Sequence, residues 1–79
     1  MLIRSQNKAF LLNFSNLTVA YIAEDDEDFV ISSLEDENRY RLGKYFSKEK
    51  AMKVLDMIQE ACINGHIDFQ MPEDSEVIV

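Results

Sequence analysis

The amino-acid sequence predicts an α+β domain: an antiparallel β-meander of four to five strands, packed by one C-terminal amphipathic α-helix, with a short C-terminal extended segment. Three observations predict it. Apolar residues alternate with period two from Lys8 to Phe46, the alternation is broken at intervals by turn-forming residues, and the period changes to a helical one at Ser47.

The strands follow in order. Phe10, Leu12 and Phe14 share one side of an extended run, and Leu17, Val19, Tyr21 and Ala23 share one side of the next. Phe29 and Ile31 lead a third run, and Tyr40 and Leu42 alternate with Arg39 and Arg41 in a fourth. Between them lie Ser15-Asn16, Asp25 to Asp28, and Glu35 to Asn38, where Asx side chains stabilise tight turns by bonding to nearby backbone. Leu2 to Arg4 is a short additional strand. Leu11, Ala20, Ile22, Val30 and Leu34 are expected on the opposite face, an apolar set that one helix cannot cover.

From Ser47 onward, Ala51, Val54, Leu55, Ile58, Ala61 and Cys62 form one stripe along a helix running to about Ile63. Ser47 is suited to cap its first turn, and Gly65 to end it in a left-handed conformation. Met52 and Met57 flank the stripe as gap-filling residues. Ile67, Phe69 and Met71 then alternate with polar residues up to Pro72, and the apolar ending Val77-Ile78-Val79 is expected to pair with a strand edge or pack beside the helix.

With 79 residues, the chain fits a single domain spanning 1–79, and its core is small. One cysteine cannot form an internal disulfide, so extra stability is expected from self-association or a partner. The formal net charge of −7 disfavours direct contact with nucleic acid or an anionic membrane. The N-terminus lacks an apolar run of signal-peptide length, which points to a cytoplasmic protein. Charge is segregated along the chain. Glu24, Asp25, Asp26, Glu27, Asp28, Glu35, Asp36 and Glu37 form two acidic clusters without a base, whereas Arg39, Arg41, Lys44, Lys48, Lys50 and Lys53 follow as a basic stretch.

No residue pattern supports catalysis. Cys62 and His66 are the only residues of their kinds, and a thiol on the apolar stripe at a helix C-terminus is expected to be buried and inert. They are too few for a structural zinc site. Glu24, Asp26, Asp28 and Glu35 have the spacing of a calcium loop, but Phe29 stands where that loop needs glycine. There is no glycine-rich phosphate loop and no nucleophile elbow. Catalytic, cofactor-binding and metal-binding residues are therefore assigned to none, and no cofactor or small-molecule substrate is expected.

Several segments carry a resemblance. Leu2-Ile3-Arg4-Ser5-Gln6, Asn16-Leu17, Leu42-Gly43-Lys44-Tyr45, Ser47-Lys48-Glu49-Lys50-Ala51, Val54-Leu55-Asp56-Met57-Ile58 and Phe69-Gln70-Met71-Pro72-Glu73-Asp74-Ser75 resemble short uncharacterised proteins of Gram-positive bacteria and their phages or prophages. The resemblance implies a bacterial or phage cytosolic protein and brings no activity, cofactor or site residue with it. Glu24 to Asp28 lie outside the resembling segments.

Two functions are compatible with these residues. The first is a non-enzymatic protein-interaction module, binding a protein partner or itself as a homodimer. The alternative is an acidic nucleic-acid mimic that inhibits a DNA- or RNA-binding protein. In both, the acidic residues from Glu24 to Asp28 and from Glu35 to Glu37 are the expected partner-binding positions. Mimicry requires the two clusters to lie on one face.

Overall fold

Period-two alternation forms strands, as expected, but the strands divide between two sheets. The structure is a computed structural model that describes residues 1–14, 19–35 and 37–79; the Ser15-Asn16 turn, Leu17 and Asp36 lie outside the described residues. In chain order the elements are β1 (Leu2–Arg4), β2 (Leu11–Asn13), β3 (Val19–Asp25), β4 (Asp28–Glu35), β5 (Asn38–Tyr45), α1 (Lys48–Ile63), β6 (Asp68–Gln70) and a 3₁₀ turn (Asp74–Glu76). The fold is α+β. β3, β4 and β5 form the antiparallel meander, and β1 sits between β2 and β6 in a second sheet. The β1–β2 pair is antiparallel, whereas β1 and β6 are parallel, with Ile3 opposite Phe69.

The phase of β3 differs from the sequence expectation. Ile22 lies opposite Ile31, and Ile31 is fully buried, so Ile22 and Ala20 face the helix while Val19, Tyr21 and Ala23 face away. The hairpin loop fixes this phase. Asp25 pairs with Asp28, leaving only Asp26 and Glu27 in the loop, and shifting the register by one residue would invert the whole strand. Asp26 takes the left-handed conformation at φ 57°, as such short loops demand. Of the five residues expected on the outer face, Ile22 thus joins the core and Val30 is covered, while Leu11 and Leu34 remain exposed.

A β-bulge positions the aromatic end of β5. Ile31 pairs with Gly43 and Ser32 with Arg41, so Leu42 is an extra residue on β5. The bulge lets Tyr40, Leu42 and Tyr45 all reach the core despite uneven spacing. Gly43 lies beneath the Tyr45 ring; a Cβ at this position would lie 3.0 Å from the Tyr45 oxygen and 3.2 Å from its Cε2.

Helix α1 begins where Ser47 Oγ accepts from the Lys50 amide at 3.1 Å. It ends in a Schellman motif. Gly65 has φ 73°, the His66 amide donates to the Ala61 carbonyl, and the Gly65 amide donates to the Cys62 carbonyl. Ala51, Val54, Ile58 and Ala61 are buried against the meander, as the stripe predicts. Cys62 is exposed, contrary to expectation. The buried line follows Val54, Ile58 and Ala61, and Leu55 and Cys62 each lie one residue further on, about 100° around the helix on its flank.

A single core joins the elements: Ile3 and Leu12 from the second sheet meet Ile31, Leu42, Tyr45, α1, Met71 and Val77. Val77 packs here as expected, whereas Ile78 is 83% exposed. The segment after β6 is clipped to the β5–α1 junction. Tyr45 donates its hydroxyl to the Pro72 carbonyl at 2.8 Å. Asp74 accepts from the Phe46 amide at 2.9 Å and from Lys50 Nζ at 3.0 Å. These bonds, led by the Phe46 amide, hold the Asp74 carboxyl below its ordinary range. Burial, helped by the charges of Asp74, Glu73 and Glu76, pushes the Tyr45 phenol far above its own.

Candidate interaction surface

The acidic residues are placed by the hairpin turns of the meander. Glu24 to Asp28 form the β3–β4 turn, while Glu35 and Glu37 flank the β4–β5 turn. β4 runs between the two turns from Asp28 to Glu35, so they lie at opposite ends of the sheet, about 24 Å apart at 3.4 Å per residue. The sequence-predicted clusters are therefore not brought together. The calcium-like set is not brought together either, because Glu35 lies a strand length away from Asp28. Among the described residues, no group of three His, Cys, Asp or Glu side chains gathers to hold a metal ion.

The first cluster is also partly neutralised. Asp25 is ion-paired to Arg41, and Asp28 lies 3.7 Å from Lys44 Nζ. Arg41 and Lys44 come from the basic stretch, so two charge runs that are separate in sequence meet on the outer face of the sheet. Such exposed pairs stabilise the fold by about 1 kcal/mol at most. Glu24, Asp26 and Glu27 remain exposed at the tip.

Cys62 and His66 do not form a reactive pair. Both are exposed, and the left-handed Gly65 turns the chain before His66, which breaks the i,i+4 alignment the two would share on a continuing helix. His66 lines a shallow groove of about 360 Å³ between α1 and β6, over Met57, Ala61 and Phe69. Glu60 and Asp68 border the groove, but neither is buried.

The feature that stands out is the outer edge of β3, which no motif in the sequence marks as a site. An edge strand presents a row of unpaired backbone donors and acceptors. The other edges are short or partly covered. β2 and β6 are three residues each. β5 is partly covered by Gln6: its amide donates to the Leu42 carbonyl, and its side chain pairs with both the amide and the carbonyl of Lys44. Gln6 thus acts as a one-residue strand. β3 is seven residues long and contains no Lys, Arg or Pro, and its charged residues, Glu24 and Asp25, guard only its hairpin end. Among the described residues, only β4 pairs with it. Beside this edge, on the face away from the helix, Val19 is 54% exposed and lies opposite Leu34, which is 41% exposed.

The uncharged run from Leu17 to Ala23 could have been noticed in the sequence. The contact of Gln6 with β5 could not, because it joins residues 38 positions apart.

No helix among the described residues is long and apolar enough to cross a membrane. No family model, curated protein or solved structure matches the chain.

Proposed function

We propose that the chain is a non-enzymatic protein-interaction module of bacterial or phage origin that acts in the cytoplasm and self-associates through the β3 side of its meander. One observation carries the reading: among the described residues the outer edge of β3 pairs with no second strand, and its uncharged stretch from Val19 to Ala23 borders the exposed Val19–Leu34 pair. Backbone groups on such an edge supply affinity to any added strand, and neighbouring side chains supply selectivity. The small core gives self-association a second role, because burying a further strand removes apolar surface that one copy leaves wet. Nucleic-acid mimicry has no comparable support, since its two acidic clusters point in opposite directions. Sedimentation equilibrium at tens of micromolar tests the proposal: a reversible dimer is expected, and a monomer throughout that range would refute self-association.

A further inference from the structure

We infer that the groove between α1 and β6 is a docking site for an extended basic segment of a partner protein, in which apolar and basic residues alternate. The inference does not depend on the β3 edge, which belongs to the other sheet.

The backbone offers the first contact. β6 ends its sheet, and among the described residues only β1 pairs with it. Ile67 accepts from the Leu2 amide at 2.9 Å, and Met71 donates to the Arg4 carbonyl at 3.1 Å. Alternate residues of a strand bond the same neighbour, so Phe69 also turns its backbone to β1, while Asp68 and Gln70 turn theirs outward. Both of these residues line the groove. So short an edge cannot hold a partner by backbone bonds alone, and side chains must supply the rest.

Side chains select the occupant. The floor is apolar: Met57 and Phe69 are half-buried, and Ala61 is buried. Phe69 lies opposite the fully buried Ile3, so it faces the core side of the sheet, and Asp68 and Gln70 face the other side. A strand laid along β6 therefore sends every second side chain onto the floor and the intervening ones past Asp68. The banks are acidic. Glu60 stands on the helix side and Asp68 on the strand side, both exposed, and neither forms an ion pair among the described residues. No Lys or Arg occurs from Asp56 to Val79. The last turn of α1 has no basic residue either, so the negative end of its dipole stands uncompensated beside the groove. Arg4, opposite Gln70 on β1, donates to the Lys8 carbonyl instead. Charge complementarity thus calls for a basic segment, and the floor calls for apolar residues between its bases.

A short capped peptide of alternating Lys and Leu is the probe, titrated at physiological salt and followed by backbone amide shifts. Saturable shifts at Ala61, Asn64 and Asp68 to Gln70 are expected, with slowed exchange of the Asp68 and Gln70 amides. Peptides alternating Glu with Leu, or Lys with Ser, are expected not to saturate. Glu60→Gln combined with Asp68→Asn should weaken the Lys–Leu peptide about 2- to 30-fold, the range for two exposed ion pairs. Glu24→Gln combined with Glu27→Gln makes the same change in net charge at the β3–β4 turn and should alter the dissociation constant by less than about 2-fold, because distant charges are screened. All four positions are exposed or half-exposed at the surface, so the fold is retained. Equal weakening by the two double variants would reduce the binding to attraction by net charge and overturn the inference. So would binding that leaves the Asp68 and Gln70 amides unprotected, or no saturable binding of the Lys–Leu peptide at all.

Discussion

Gly43→Ala probes how firmly the aromatic end of the core is fixed. The new methyl would lie 3.0 Å from the Tyr45 oxygen, 3.2 Å from Cε2 and 3.3 Å from Cζ, tighter than ordinary carbon contacts. The ring has little freedom to yield. Tyr45 is fully buried, and its hydroxyl is held by the Pro72 carbonyl. Overpacking of this kind costs about 1–3 kcal/mol. Replacing glycine also stiffens the unfolded chain, which offsets about 0.4–1 kcal/mol, because Gly43 needs no left-handed conformation. A net loss of about 1–2 kcal/mol follows, or about 1 M in the urea midpoint for a small domain with a slope near 1–2 kcal/mol/M. Urea unfolding followed by circular dichroism at one fixed protein concentration reads this directly, since association shifts the midpoint. A double-mutant cycle with Tyr45→Phe isolates the cause. Phenylalanine lacks the nearest atom and the tether to Pro72, so Gly43→Ala should cost about 0.5–1 kcal/mol less in that background. A neutral or stabilising Gly43→Ala, or an equal cost in both backgrounds, would refute the idea that the hydroxyl tether holds the ring.

The clip around Pro72 to Val77 predicts pH dependence on both sides. Asp74 titrates lower when folded than its unfolded value of about 4, so its stabilisation is complete above that pH and is lost as pH falls through the lowered value. Asp74→Asn loses the ion pair with Lys50 but leaves Lys50 bonded to the Asp74 carbonyl, and should lower stability at pH 7 by about 1 kcal/mol and flatten the acid limb of a melting-temperature profile. Tyr45 behaves oppositely. Its folded pKa is raised, so its contribution is intact below the unfolded value of about 10 and disappears as pH rises beyond it. Tyr45→Phe should remove that alkaline loss, leaving a flatter profile between pH 9 and pH 11. At the β3–β4 turn, Asp26→Gly relieves a left-handed residue and thins the acidic tip, and should raise stability by about 0.5 kcal/mol in the same urea assay.

Residues with local partners were the most legible in the sequence. Ser47 and Gly65 bound the helix because capping depends on residues three to five positions away. The hairpin runs were recognisable because the meander pairs consecutive segments. Pairing across the chain left no such trace. β1 and β6 are three residues long and 66 positions apart, so neither period nor turn chemistry links them. The phase of β3 was also hidden, because Val19, Tyr21 and Ala23 are as apolar as Ala20 and Ile22. The turn that decides between them depends on where Asp25 pairs. As for function, the acidic runs drew attention as partner-binding positions, but local density says nothing about which end of a sheet a turn occupies. The open edge of β3 is recognised only once the strand order places it at the end of its sheet.

The central claim is that β3 is the surface through which this protein meets its partner, and amide hydrogen exchange along β3 at low and high protein concentration tests it most directly. Alternate amides of the strand point toward β4 and should be protected at both concentrations. The account predicts that the intervening amides, which point outward, exchange fast in the monomer and become protected as dimer forms. Outward amides that exchange equally fast in a dimer verified by light scattering would place the contact elsewhere and contradict the claim.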